Sequence, residues 1–407
     1  MLKRFPNKKI NVLLLENIHP EAEKIFKDEG YQVKTIAESL DEAALCQEIK
    51  NIHILGIRSK TQVTEKVLAS ANHLWVVGAY CIGTNQINLS ACAKKGVSVF
   101  NAPYSNTRSV VELAISEMIA LSRRLTVGNS QMHKGNWAKT ASGCHELRGK
   151  TLGIVGYGNI GTQLSVLAEA LGMNVLYYDN VEKLALGNAK KCTNLNELLK
   201  ASDVVSMHVD GAASNTNLMG KKEFHKMKAG ALFLNLSRGS IVDLDALKEA
   251  LASGHLKGAA VDVYPEEPAA NGPGFSSPLQ GMDNVILTSH IGGSTQEAQE
   301  SIASFVPSCT IDYMSTGNSQ MSVNFPSLKL AQFENSQRLI HIHHNRPGVL
   351  ASINELFAKH KINIIGQHLK TNEEIGYVIA DVEQGYDQAL LEELRNVEHT
   401  IRFRVLY

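Results

Sequence analysis

Three apolar stretches of this 407-residue chain end in side chains suited to acid–base or anion chemistry. "ALFLNL" (231–236) is followed by Ser237 and Arg238. "GAAVDVY" (258–264) carries Asp262, and Glu267 follows in "PEEP". "NVILTS" (284–289) runs into His290. In open α/β sheets, ligands sit beyond the carboxyl ends of the strands, so these residues are expected along one edge. A cation, an acid and an imidazole together fit the oxidation of a 2-hydroxy acid by hydride transfer. The hydroxyl must lose its proton to a base with a pKa near neutrality, which is the range of histidine. A carboxylate beside the imidazole orients it and favours its protonated form. A guanidinium grips a carboxylate with two bonds. Taken singly, the plainer readings are an Arg salt bridge, a capping Glu and a surface His.

A second constellation supplies a nucleotide. "GYGNIG" (156–161) follows the apolar run "TLGIV" and opens the helical pattern "TQLSVLAEAL". Gly156 permits the tight turn, Gly158 lets the backbone approach a pyrophosphate, and Gly161 lets helix and strand pack closely. The first amides of the helix then face the phosphates. Asp179 ends the next strand, "NVLYYD". A carboxylate there accepts ribose hydroxyls and repels a 2′-phosphate, which predicts NAD over NADP.

Two basic segments could receive an anion. "IRSKT" (57–61) carries Arg58, Ser59 and Lys60, and "YSNTRS" (104–109) carries Asn106 and Arg108. The alternative is a solvated basic loop. Near the end, "RLIHIHHNRP" (338–347) places His341 and His343 on one face of a strand and His344 on the other. Metal ligation lacks a third ligand elsewhere in the chain, so no metal is expected. Plain sheet surface and a small-molecule sensor remain. "NRPGVLASINELFAKH" (345–360) reads as a helix start with Pro347 in its first turn, and its amides favour an anion such as an amino-acid carboxylate.

The elements that must position these groups alternate along the chain. Strands are read at 10–17, 31–36, 52–59, 73–80 and 96–103, with helical patterns at 20–30 and 40–50. A long helical pattern covers 109–125, and 128–150 reads as a polar connector. A second α/β series begins at Thr151 and runs through 202–209, 231–239, 256–264 and 284–290. A Pro/Gly-rich loop occupies 265–284, and periodicity fails around 323–337, which reads as a linker. Such alternation predicts parallel sheets. The last ~70 residues read as strand, helix, strand, strand, helix, strand, a split-βαβ module.

Composition agrees with a globular protein, at 44% hydrophobic and 20% charged. Forty basic and forty acidic residues cancel, which argues against a nucleic-acid partner. The six cysteines form no C-x-x-C pair, and a reducing compartment is expected. The apolar run 10–15 is interrupted by Asn11 and stopped by Glu16, too short for a signal sequence. No stretch approaches the ~20 apolar residues of a membrane span. The chain is expected to be cytoplasmic.

"GYGNIG…Asp179", "LNLSRGSIVD", "GAAVDVYPEEP" and "SHIGG" together resemble the D-isomer-specific 2-hydroxy-acid dehydrogenases, over nearly the whole chain. The resemblance implies Arg238, Glu267 and His290 as the catalytic set. It implies cofactor contacts at Asn159, Ile160, Asp179 and Asp262, and along the motifs at Leu236, Ser237, Arg238, His290, Ile291, Gly292 and Gly293. The tail, "HIHHNRPGVL…KINIIGQ", resembles an ACT domain of the branch that oxidises 3-phosphoglycerate with NAD at the start of serine biosynthesis. That branch implies substrate contacts at Arg58, Ser59, Lys60, Asn106 and Arg108. It also implies a tetramer inhibited by serine, held by His343, Asn345 and, from a neighbouring subunit, Asn363. The implied fold is α/β: two doubly wound Rossmann-like domains plus a C-terminal βαββαβ ACT domain. The implied boundaries are 1–105 for the first part of the substrate-binding domain and 106–292 for the NAD-binding domain. Residues 293–334 form the return segment and linker, and 335–407 the ACT domain. Other D-2-hydroxy-acid dehydrogenases, of lactate or glycerate type, and a non-catalytic NAD sensor share this fold. The chain departs from the pattern at three usual prolines, where it carries Asp210, Ala229 and Ser289. None of these changes removes a catalytic group.

Overall fold

The structure is a computed structural model that describes residues 6–268, 271–333, 335–383, 385 and 388–406. The expected 265–284 loop and 323–337 linker each contain positions outside that set, 269–270 and 334. Two compact units result: residues 1–105 with 299–407, and residues 106–298.

The first unit contains a parallel sheet of β1 (Asn11–Leu14), β2 (Gln32–Thr35), β3 (Ile54–Ile57), β4 (Val76–Ala79) and β5 (Ser98–Phe100), in the order β2-β1-β3-β4-β5. Both faces are covered, so its central strands read as continuous apolar runs. Leu13, Leu55, Val77 and Val99 pack on one side. Val12, Leu14, Ile54, Val76 and Phe100 pack on the other, with Ile302, Val306 and Tyr313 of the helix Gln296–Thr316.

The second unit holds a seven-stranded parallel sheet. Its strands are β6 (Thr151–Val155), β7 (Asn174–Tyr178), β8 (Lys190–Lys191), β9 (Val204–Met207), β10 (Ala231–Asn235), β11 (Leu256–Val261) and β12 (Val285–Leu287). The order is β12-β11-β10-β9-β6-β7-β8. From β6 the chain winds outward first to β8 and then, in the other direction, to β12. The strand order therefore reverses between β6 and β9, which is where doubly wound sheets open a crevice for ligand.

The C-terminal module, within the first unit, pairs β13 (Ser336–His344), β14 (Ile364–Thr371), β15 (Ile375–Glu383) and β16 (Thr400–Val405) as an antiparallel sheet ordered β14-β15-β13-β16. Helices Val349–Lys359 and Gln388–Arg395 complete the βαββαβ order. Leu339 joins the core beneath those helices. Ile340, Ile342, Tyr377 and Ile379 face the opposite way, into the core shared with the first sheet. Arg338 and Asp381 are register partners on β13 and β15, both fully buried. The guanidinium donates to both carboxylate oxygens, at 2.7 and 2.6 Å, and to the carbonyls of Thr316, Leu330 and Ala331. It thus ties the small sheet to the segment leading into it.

Two local features differ from the sequence reading. The connector expected from residue 128 begins inside a helix, Leu125–His133, after Arg124 turns left-handed at φ 51°. None of that helix is buried, so it carries no apolar stripe to be read. The helix expected to hold Pro347 in its first turn starts after it, at Val349, because Gly348, at φ 92°, occupies the cap. No helix among the described residues is long and apolar enough to cross a membrane.

Arg338→Ala leaves a buried, unpaired Asp381 and should destabilise the protein by about 3–5 kcal/mol. Replacing both partners, Arg338→Met with Asp381→Leu, should cost much less. Chemical denaturation of the two variants checks this, and equal losses would contradict it.

Candidate active site

The glycine loop lies between the end of β6 and the helix Asn159–Ala170. Gly156 has φ 93°, and a Cβ there would lie 2.6 Å from the His208 carbonyl oxygen. A Cβ at Gly161 would lie 2.4 Å from the Gly156 carbonyl oxygen, so helix and strand approach at backbone distance. Gly158 is different, since nothing lies within 4 Å of a Cβ placed on it. Its bareness clears space outside the fold, in front of the amides of Asn159 and Ile160 at the helix start. Asp179 follows β7, and its carboxylate accepts from the Tyr157 N–H at 2.8 Å and the Val181 N–H at 2.9 Å. It therefore braces the glycine loop while each oxygen keeps a lone pair for a ribose hydroxyl. These residues fit a dinucleotide.

Beyond the carboxyl ends of β11 and β12, the structure brings Glu267 and His290 together. His290 Nδ1 lies 2.7 Å from Glu267 Oε2, while Glu267 Oε1 accepts from the Tyr264 N–H. The hydrogen bond to Glu267 raises the imidazole pKa against the opposing effect of burial, and nearby Asp262 adds to the rise. Burial pushes the Glu267 carboxyl up, but the bonds from His290 and the Tyr264 amide and the charges of His290 and Arg238 outweigh it. The net shift is downward. Both directions favour the carboxylate–imidazolium form of the pair. The His290 side chain is 49% exposed, so its Nε2 edge remains reachable.

Arg238 follows β10 and Ser237. Its backbone is held by Asn235, whose amide donates to the Arg238 carbonyl and whose oxygen accepts from Ser237. Leu236 and Ser237 are buried in this turn. Gly239 has no alternative, because a Cβ would lie 1.9 Å from the Tyr264 carbonyl carbon.

His290 itself is in the left-handed region at φ 54°. Asp262, 1% exposed, holds it there. Its backbone oxygen accepts from the His290 N–H, Oδ1 accepts from Thr288 Oγ1 and the Ile291 N–H, and Oδ2 accepts from the Gly292 N–H. A Cβ on Gly293 would lie 2.2 Å from Asn106 Nδ2. Asn106 thus sits against the same turn, while Arg108 is exposed and paired with Glu112 at 2.6 Å. Arg58, Ser59 and Lys60 lie in the other unit, beyond the end of β3; Arg58 is half-buried and the other two are exposed.

Sequence reasoning missed Thr288 and Glu117. Glu117, on the helix Thr107–Arg123, is 3% exposed with neither carboxylate oxygen hydrogen-bonded. Burial, and secondarily the charge of Asp262, pushes its carboxyl up to about 8. An acidic residue within an apolar helical stripe was its only signal.

In the C-terminal module, His341 and His343 are each 2% exposed, and His344 is exposed. The plain-surface reading is therefore wrong for the pair. His341 Nε2 is engaged by the Leu394 carbonyl and Thr400 Oγ1. His343 is buried with no partner on Nδ1, and burial, with His344 and His399 nearby, brings its pKa down to about 4. Asn345 donates to the Asn372 carbonyl and Asn363 to Glu383. No group of three or more potential metal ligands exists among the described residues.

A dinucleotide-binding parallel sheet bearing a carboxylate–imidazole pair at its edge defines an NAD-dependent dehydrogenase. Residues 115–292 match the NAD-binding domain of the D-isomer specific 2-hydroxyacid dehydrogenases, and residues 339–402 match the AHAS small subunit-like ACT domain. The chain belongs to the D-isomer specific 2-hydroxyacid dehydrogenase family. It is 48% identical over 403 residues to D-3-phosphoglycerate dehydrogenase of Dictyostelium discoideum, covering 99% of this chain and 98% of that one. It is 49% identical over 402 residues to the enzyme of that name from Escherichia coli K12, covering 98% of each. The crystal structure of D-lactate dehydrogenase from Aquifex aeolicus, complexed with NAD and lactic acid, is 27% identical with a TM-score of 0.67. It covers 78% of this chain and all of the other.

Were His290 the base of hydroxy-acid oxidation, only its neutral form would act, and kcat/KM would fall as pH drops through its raised pKa. Glu267→Gln removes the raising charge and should move that acid limb to lower pH. The pair's own contribution to stability is complete below the ordinary histidine pKa and lost as pH rises through the raised one. For Glu267 the contribution is present above the ordinary glutamate pKa and lost as pH falls through the lowered one. A pH–rate profile of the variant identical to that of the native enzyme would break the assigned pairing.

Proposed function

We propose that this chain oxidises 3-phospho-D-glycerate to 3-phosphohydroxypyruvate with NAD, the first step of L-serine biosynthesis, in the cytoplasm. The observation that carries this is the His290–Glu267 pair beside Arg238 at the edge of an NAD-binding sheet, in a chain aligned end to end with D-3-phosphoglycerate dehydrogenases. His290 Nε2 removes the hydroxyl proton, leaving Nδ1 bonded to Glu267. Glu267 keeps the ring in that orientation and stabilises the imidazolium formed. Arg238 binds the substrate carboxylate. NAD, when bound, accepts the hydride released from the carbinol carbon. Gly156, Gly158, Asn159, Ile160 and Gly161 hold its pyrophosphate, and Asp179 its ribose. Arg58, Ser59, Lys60, Asn106 and Arg108 hold the substrate's phosphate and carboxylate. The boundaries given above for the substrate-binding, NAD-binding and ACT domains belong to the same reading.

The ACT module supports a regulatory role. Serine binds at His343 and Asn345, with Asn363 contributed by a neighbouring subunit of a homotetramer. Because burial keeps His343 neutral at pH 7, it serves as a neutral hydrogen-bonding partner and not as a cation.

NADH formation from 3-phosphoglycerate, compared with D-lactate and D-glycerate, tests the substrate; preference for either of the others overturns it. Asp179→Ala should weaken NAD and relax the discrimination against NADP. A native enzyme that prefers NADP would refute this use of Asp179. His343→Ala and Asn363→Ala should each raise the serine concentration for half-inhibition by about tenfold, ~1.4 kcal/mol. His341→Ala should change it less, since its ring is already held by Leu394 and Thr400. Serine titrations of the three variants decide, and sensitivity unchanged in the first two removes the sensor.

A further inference from the structure

The segment 58–61 that is proposed to take the substrate's anionic group is itself held from behind. Glu16, two residues past β1, is 8% exposed and at φ 63°; Asn17 follows at φ 52°. Two successive non-glycine residues in the left-handed region are uncommon, and such conformations persist where surrounding contacts enforce them. Here the turn aims the Glu16 carboxylate sideways across the sheet edge. Its Oε2 accepts from the Lys60 N–H at 3.0 Å and its Oε1 from the Thr61 N–H at 2.8 Å. Both amides are thereby taken by the protein.

The other end of the segment is held by Gln86, also 8% exposed. Its Nε2 donates to the Arg58 carbonyl at 2.6 Å, and Cys81 Sγ lies 3.6 Å from the same oxygen. A trans peptide is planar, so drawing the Arg58 carbonyl inward turns the Ser59 N–H outward. Ser59 is exposed, and so is Lys60. The backbone therefore presents one outward amide, flanked by Arg58 and Lys60, while the next two amides point back to Glu16. This arrangement is set by two side chains that do not face the ligand.

We infer that Glu16 and Gln86 are positioning residues that pre-form the anion seat at Arg58–Lys60, with the outward Ser59 amide as its backbone donor. The inference rests on the reading that this segment receives the phosphorylated substrate. Pre-forming a loop removes the ordering penalty from binding, so its loss appears in substrate affinity. Charge alone predicts the reverse: removing a carboxylate near an anion site should favour the anion.

The test uses the full-length enzyme with saturating NAD. Glu16→Gln retains one acceptor but sets an NH2 group against the second amide. Gln86→Met keeps the volume and loses the donor to Arg58. Each should raise KM for 3-phosphoglycerate by about tenfold, ~1.4 kcal/mol, with kcat little changed and KM for unphosphorylated D-glycerate moving far less. NADH affinity, followed by fluorescence, should be unchanged. A KM that is unchanged or lowered in Glu16→Gln overturns the inference. So does an equal loss of kcat on both substrates at constant KM, which would mark a merely structural role. If Glu16→Gln fails to fold, Gln86→Met decides alone. Arg58→Ala and Lys60→Ala separate the two levels. If they leave KM unchanged, the seat is elsewhere and both readings fall. If they raise KM while Glu16→Gln and Gln86→Met do not, only the positioning inference falls.

Discussion

The imidazole of His290 stands on a turn that a buried carboxylate holds together. Asp262 receives one hydroxyl and two amide donors on its side chain and a further amide on its backbone oxygen, all from Thr288 to Gly292. Hydrogen bonds to a charged group are worth about 1.5–3 kcal/mol each. Together they outweigh the ~1–3 kcal/mol of a non-glycine residue held at positive φ. Proline commonly precedes such a histidine in the family this chain resembles; here Ser289 precedes it, and the bonding to Asp262 does the fixing. With the turn fixed, Glu267 reaches Nδ1 and leaves Nε2 out of that bond.

Charge is handled differently in the two units. At His290 the partner is partly exposed, and its hydrogen bond and charge raise the ring's pKa against burial. In the C-terminal module His341 and His343 are buried, and both are brought down to about 4, with no carboxylate to oppose the shift. The same residue type is shifted toward its charged form in one place and toward its neutral form in the other. Burial and the nearest charge decide which.

Carboxylates, buried at Asp262 and Glu16 and partly buried at Asp179, serve as backbone clamps. Asp262 fastens the His290 turn, Asp179 braces the glycine loop, and Glu16 holds Lys60 and Thr61. In each case acidic oxygens accept from amides at the carboxyl end of a strand, where a parallel sheet leaves donors unpaired. Glu117 differs from these, a buried acid without hydrogen-bond partners whose raised pKa keeps it protonated near neutrality.

Much of this was legible in the residues themselves. The apolar runs set out the strands, since a parallel sheet covered on both faces needs them. The glycine spacing marked the nucleotide loop, since two of its three glycines have no room for a Cβ. Arg238, Glu267 and His290 could be picked out because each follows a strand, and strand ends face one edge. Local pattern did not show the helix Leu125–His133, which buries nothing, the left-handed turn at Glu16, whose residue type does not favour it, or that at His290, which the distant Asp262 fastens. It also left open whether the paired histidines of β13 were surface or core, because alternation places side chains on faces without saying what covers the face. Glu16 and Lys60 are 44 residues apart and Asp262 and Gly292 are 30 apart. Such pairings exist only once separate strands lie side by side, and so tertiary structure alone decided them.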